Sequence, residues 1–265
     1  MPRFCANLSL LFTEAPLAQR LALAAQAGFK AVEIQFPYQL PASTLAKLLH
    51  DHDLTLVMHN LPAGDWSAGD RGIACDPRRR QEFLDAVGQG IDYATHLGVG
   101  QLNCLAGIAP ANLTAAPVRD TLLSNLDTAA SLLDSAGIEL LLEPINCHEV
   151  PGFVLNTSSQ ALAIMDELNH ANIRLQFDLY HATRMHENIP QVLTRHLPRI
   201  GHIQFADVPG RHQPGTGTIH FDDIFGLLDR LGYHRWIGAE YLPSGTTQES
   251  LDWFVPASAV TPRCP

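Results

Sequence analysis

Short apolar runs that stop on an oxygen-bearing side chain recur along this chain. At 138–146, IELLLEPIN, the apolar residues lead straight into Glu143, and Pro144 then removes the backbone donor that a continuing strand would need. A continuous apolar run of this length reads as a strand buried on both faces, as in a parallel sheet covered by helices. The runs IRLQFD (173–178), IGHIQ (200–204) and WIGAE (236–240) end in the same way, on Asp178, Gln204 and Glu240. These four polar ends lie 35, 26 and 36 positions apart, enough for one strand, one helix and two loops per step.

The rest of the chain repeats the alternation. A strand at 3–9 precedes a helix at 17–27 with Gly28 just past its end, and 31–35 is a second strand carrying Glu33. Residues 42–53 are helical, with Leu45, Leu48 and Leu49 on one face, and the strand at 54–58 delivers His59 and Asn60 to its end. A long glycine-rich connection, 61–77, precedes a helix at 78–97, a strand at 100–105 carrying Asn103, and a helix at 118–136 ended by Gly137. After Glu143 come a helix at 158–168 with a serine or threonine cap, a loop segment at 179–184 holding His181, and a helix at 189–196. A second polar glycine-rich loop, 205–217, leads to a helix at 221–231, and 247–254 begins an eighth. Eight strand–helix steps, with no G-x-G-x-x-G after any strand, favour an α/β architecture closed as a single (β/α)8 TIM barrel over an open dinucleotide-binding sheet. The barrel is expected over 1–254, with 255–265, which holds three prolines, an irregular tail.

Composition narrows the function. The 265 residues include 17 basic and 27 acidic ones, a net charge of −10 that argues against nucleic-acid binding. No apolar run approaches the roughly 20 residues of a membrane helix, and the Met1-Pro2-Arg3 start lacks a signal-peptide pattern, so the expectation is a cytoplasmic protein with no membrane partner. Five widely spaced cysteines without a C-x-x-C read as idle thiols, Cys75 and Cys104 among them as small apolar fillers.

In a closed parallel barrel all C-terminal strand ends share one mouth, so Glu143, Asp178, Gln204 and Glu240 converge there. Converging carboxylates repel unless a cation lies between them, and an all-oxygen set suits Mg²⁺ or Mn²⁺ better than zinc. His181 and His59 reach the same mouth as substrate-binding candidates. A substrate carboxylate needs a cationic partner, for which Arg71 and Arg211, in the two long loops, are candidates. Glu33 reads as a structural carboxylate, and Trp66 and Phe36 as aromatics that cover the site or pack its lid.

Six motifs carry a resemblance: NLPAGDW (60–66), RGIAC (71–75), NCLAG (103–107), EPIN (143–146), PGTG (214–217) and the pair Glu240-Tyr241. Together they resemble the hydroxypyruvate isomerase family of the xylose-isomerase-like barrels, from residue 3 to about 254. The resemblance implies a metal-dependent interconversion of hydroxypyruvate and 2-hydroxy-3-oxopropanoate (tartronate semialdehyde) in glyoxylate or glycerate metabolism. It implies Glu143, Asp178, Gln204 and Glu240 as metal ligands and the two glutamates as the acid–base pair. The partner is then a small hydroxy or keto acid. A 2-oxo-tetronate isomerase and a ketose 3-epimerase share the metal set, and some relatives use a hydride shift in place of an enediol. A non-catalytic sugar-acid-binding barrel and a DNA-repair endonuclease are rival readings; the latter needs a multi-zinc site and a basic groove. Such barrels often pair through their outer helices, and no apolar stripe marks a homo-oligomer interface here.

Overall fold

The computed structural model describes residues 2–254, so the expected tail at 255–265 lies outside the described residues. Nine strand segments are formed: β1 (Arg3–Asn7), β2 (Ala31–Glu33), β3 (Thr55–Leu56), β4 (His59–Asn60), β5 (Gln101–Cys104), β6 (Glu139–Leu142), β7 (Ile173–Asp178), β8 (Ile200–Phe205) and β9 (Trp236–Ala239). All pair in parallel, in the order β3-β2-β1-β9-β8-β7-β6-β5-β4. The order begins and ends on two halves of one extended stretch, 55–60, which pairs with β2 on one side and β5 on the other. Bonds from Val57 N to Val32 O (2.8 Å) and Asn60 N to Gln35 O (2.9 Å) carry the β2 ladder through the break. The sheet is therefore the expected barrel of eight strands, with its third strand interrupted.

Helices α1 (Leu17–Gln26), α2 (Ala42–Asp51), α3 (Arg80–Leu97), α4 (Ala115–Ser135), α5 (Ser158–Leu168), α6 (Leu179–Arg184), α7 (Ile189–His196) and α8 (Phe221–Arg230) surround it. The boundaries have local causes. Gly28 and Gly137 adopt φ of 99° and 71° at the ends of α1 and α4, a region that costs a residue with a Cβ. Thr157 and Gln160 form a reciprocal capping box on α5. Leu140, Leu141 and Leu142 are fully buried, as a strand packed on both faces requires.

Two elements differ from expectation. Residues 179–184 form α6 and are not a loop, because the Asp178 carboxylate caps them, its Oδ1 accepting the backbone N–H of Tyr180 at 2.6 Å and of His181 at 3.4 Å. The helix expected to begin at 247–254 is absent among the described residues. A single 3₁₀ turn, Gln248–Leu251, stands there. Hydroxyls compete for its backbone, with Ser250 Oγ donating to Thr247 O at 2.7 Å. Trp253 then packs edge-on against Phe4 and Phe205, and Phe254 stacks on Phe29 at 4.1 Å. Among the described residues no helix is long and apolar enough to cross a membrane.

Candidate active site

The period of two along a strand decides which side chains enter the barrel. Cys5 and Asn7, Glu33 and Gln35, Gln176 and Asp178, and His202 and Gln204 are each spaced by two, and hydrogen bonds join all of them but Asp178 into one polar network through Glu33 and Glu240. At its base Glu33, 1% exposed, accepts Nδ2 of Asn7 (2.8 Å) and Nε2 of Gln204 (2.8 Å) on Oε1, and the His202 ring contacts Oε2 at 2.5 Å. Burial pushes the Glu33 carboxyl up, but His202 and these donors outweigh it and hold it below its usual range. Through these bonds Glu33 ties Asn7, His202 and Gln204 together beneath the mouth.

Glu143, Asp178, Gln204 and Glu240, all at or next to strand ends, do converge. Glu143 and Glu240 stand on strands separated by β7 and β8, which carry Asp178 and Gln204. Asn103 Nδ2 donates to Glu143 at 2.7 Å. Glu240 receives three donors: Asn7 Nδ2 (3.1 Å), Gln35 Nε2 (2.6 Å) and an Arg211 Nη (3.0 Å). Burial and then the Asp178 charge push the Glu143 carboxyl up to about 8. Burial also raises Glu240, against the pull of Arg211. Gln204 Oε1 accepts from Gln176 Nε2 at 2.5 Å, leaving a second lone pair.

Asp178 Oδ2 is buried and without a hydrogen-bond partner among the described residues, as are Asn103 Oδ1 and Gln176 Oε1. Orphaned oxygens beside carboxylates raised above their range are what a hard divalent cation would satisfy, so the donor set fits one. Glu143, Asp178 and His181 also lie close enough together to be considered as a ligand group.

Arg211 reaches this cluster from the loop after β8. The loop is organised by Asp207, whose carboxylate accepts the backbone N–H groups of Gly215, Gly217 and Ile219 at 2.8–3.1 Å. Arg211 sits at φ 58° and spans from Glu240 to Glu149 (3.2 Å), with Asp178 at 4.0 Å. Burial opposes its charge, but the surrounding carboxylates hold its pKa up. Arg71 lines the same cavity, its guanidinium 4.1 Å over the Trp66 ring, and Trp66 tilts on Phe36 at 5.1 Å. His181 also lines it, and burial lowers its pKa to about 4, leaving a neutral ring.

His59 is the exception. Successive residues of a strand face opposite ways, and Asn60 takes the inward position. The His59 ring turns away from the cavity, edge-on to Tyr38 and Tyr93, with Nδ1 3.2 Å from the Tyr38 hydroxyl. It is therefore not placed to touch a substrate.

Sequence reading missed Gln35, Gln176, Asn146 and Glu149. The first two were recoverable from the strand period, since Gln35 is two residues from Glu33 and Gln176 two from Asp178. Glu149, whose carboxylate takes the Tyr180 hydroxyl and Arg211, left no such signal. Cys75 and Cys104 are buried, with thiols pushed by that burial up to about 11 and about 12, as fillers should be.

The cavity these residues enclose measures about 230 Å³ and suits a short acid. A larger hollow of about 680 Å³ between α4 and α5 is lined mostly by apolar side chains, with Arg119 its one charged wall residue among the described residues, and is unsuited to this chemistry.

A parallel barrel with four oxygen donors at its mouth defines a class, and the sequence assigns the chain to it: residues 21–257 match the xylose isomerase-like TIM barrel model, and the chain belongs to that family. Within the family it is an isomerase of the hydroxypyruvate isomerase group, as its motifs implied. It is 44% identical over 256 residues to the hydroxypyruvate isomerase of Escherichia coli K12, covering 97% of this chain and 99% of that one. It is 40% identical to the 2-oxo-tetronate isomerase of Cupriavidus necator H16, over 97% and 98% of the two chains. A crystal structure from Brucella melitensis, described as an AP endonuclease of family 2, superposes at a TM-score of 0.94 with 39% identity, over 97% and 99%.

Proposed function

We propose that this isomerase interconverts hydroxypyruvate and 2-hydroxy-3-oxopropanoate through an enediolate, using Mg²⁺ or Mn²⁺ held by Glu143, Asp178, Gln204 and Glu240. The observation that carries the reading is the pair of buried carboxylates, Glu143 and Glu240, standing on strands to either side of Asp178 and Gln204 in a cavity sized for a short acid. A bound divalent ion would supply Lewis-acid stabilisation of the negative charge that develops on the substrate oxygens.

The chain's own residues divide the proton work. Moving a carbonyl between adjacent carbons requires removing a proton beside it and returning one to the neighbouring carbon. Burial raises both carboxyls, so the difference between them lies in their donors. Glu240 accepts three, which stabilise the carboxylate that takes the first proton, and Glu143, with one, is suited to give one back. Each positioned transfer contributes about 10²–10⁴-fold. Arg211 and Arg71 offer guanidinium forks to the substrate carboxylate. Trp66, 45% exposed over the cavity, limits water entry.

The second reading, a 2-oxo-tetronate isomerase, is favoured by the 40% identity to the Cupriavidus protein and keeps the same residues in the same roles. The test is turnover by metal-stripped protein with Mg²⁺ or Mn²⁺ restored, products followed by NMR, on hydroxypyruvate and on the four-carbon acid. Restored turnover of hydroxypyruvate supports the first reading, turnover of the four-carbon acid alone the second. Binding without turnover under saturating metal would turn the assignment to a sugar-acid-binding barrel.

A further inference from the structure

One ring at the mouth is oriented by a residue that touches no reacting atom. Asn146 follows the Glu143-Pro144 break and is fully buried. Its Oδ1 accepts the backbone N–H groups of His148 at 3.1 Å and Glu149 at 3.0 Å. Two N–H donors on that atom identify it as the oxygen, so the other end of the amide is the donor. That end, Nδ2, stands 2.7 Å from Nδ1 of His181. A donor facing Nδ1 requires a lone pair there, and in a neutral imidazole the hydrogen then resides on Nε2.

His181 has little freedom to escape this arrangement. It is 4% exposed, its ring packs edge-on against Tyr180 at 5.6 Å, and its backbone belongs to the first turn capped by Asp178. Its Nε2 lies 3.7 Å from the partnerless Oδ2 of Asp178, beyond hydrogen-bond length, so the N–H remains available to an oxygen entering the cavity.

We infer that Asn146 is a positioning residue that fixes His181 as the Nε2–H tautomer, so that His181 serves as a hydrogen-bond donor to a substrate oxygen and neither as a metal ligand nor as a base. The recipient is an oxygen of a short 2-keto acid, or of its enediolate, and that part deepens the isomerase reading and rests on it. The tautomer does not. Ligation by Nε2 within the Glu143–Asp178–His181 group would need its lone pair. The hydrogen would move to Nδ1, where it would oppose the Asn146 N–H and leave two buried donors facing each other. A neutral imidazole N–H is also the form that stabilises charge developing on a carbonyl oxygen without competing for the proton.

The test reads the tautomer directly. In metal-free, ¹⁵N-histidine-labelled protein at neutral pH, two-bond ¹H–¹⁵N correlations report which ring nitrogen carries hydrogen, with His181 assigned by loss of its signals in H181Q. The expected pattern is a protonated Nε2 and an unprotonated Nδ1; a protonated Nδ1 in the wild type overturns the inference. In N146D the acceptor for the two backbone amides is retained while the donor becomes an acceptor. Nδ1 should then carry hydrogen, and turnover should fall about 10²-fold, with Mn²⁺ affinity by electron paramagnetic resonance not weakened. An unchanged Nδ1 removes Asn146 as the cause, and unchanged turnover with a moved hydrogen removes the donor role. If N146D does not fold, the wild-type spectrum still decides the tautomer. Wild-type protein inactive on both keto acids would end the isomerase reading while leaving the tautomer result intact, so the two failures are distinguishable.

Discussion

The carboxylate of Glu33 holds the side-chain amide of Gln204 from across the barrel, Oε1 to Nε2 at 2.8 Å. This contact fixes which end of the Gln204 amide is the nitrogen, and its oxygen, which accepts from Gln176, keeps a second lone pair. Gly238 makes room for it, since a Cβ there would come within 2.3 Å of Glu33 Oε2. In E33Q an amide group would replace an acceptor that serves Asn7, Gln204 and His202. The expected result is a 10–100-fold loss of Mn²⁺ affinity in a protein that remains folded by circular dichroism. Unaltered Mn²⁺ binding would mean that Gln204 is not oriented through Glu33.

Glu143 and Glu240 are expected to be separable from stability. Burial already favours their neutral forms, so an isosteric amide adds little desolvation cost. E143Q and E240Q should melt near the wild-type temperature and lose turnover by about 10²–10⁴-fold. A variant with near-wild-type turnover would remove that residue from the proton transfers. Incorporation of solvent deuterium into product would favour the enediolate route over a hydride shift.

Arg71 is held in the third-strand loop by its contact with Trp66 and by donation to the carbonyl oxygens of Trp66 (3.2 Å) and Asp70 (2.6 Å). If it also binds the substrate carboxylate, R71A should raise KM for hydroxypyruvate about 10-fold or more, the loss of one charge-assisted hydrogen bond, with a smaller change in kcat. Steady-state kinetics with saturating metal decides this, and an unchanged KM would leave Arg211 as the carboxylate's partner.

His59 has a consequence for stability in place of catalysis. Burial lowers its pKa to about 4, against the ordinary 6.5, although its bond to Asn60 O opposes the shift. The folded state therefore binds fewer protons than the unfolded state between these values. The neutral ring's contribution is fully present above about pH 6.5 and is lost as the pH falls toward 4. Between pH 7 and 5 this group alone should lower unfolding free energy by about 2 kcal/mol. Urea denaturation at the two pH values measures it, and H59F, in which the Tyr38 hydroxyl keeps its 2.7 Å bond to Asn60 O, should show a shallower dependence. An equal dependence in H59F would place the acid sensitivity elsewhere.

Local sequence determined the strand ends. Apolar runs halted by Glu143, Asp178, Gln204 and Glu240 at one-unit spacing define a parallel barrel and a single mouth, because strand period and crossover length are local properties of the chain. The facing of His59 also lay within reach, since its neighbour Asn60 could take the inward position only if His59 turned outward. Only the tertiary structure decided how these side chains are charged and aimed. Glu240 is held by Asn7, more than 230 positions away. Arg211 enters the carboxylate cluster because Asp207 folds its loop, and the ring of His181 is set by an amide from a different strand end. A hydrogen bond depends on where two atoms meet in space, and separation along the chain carries no record of that meeting.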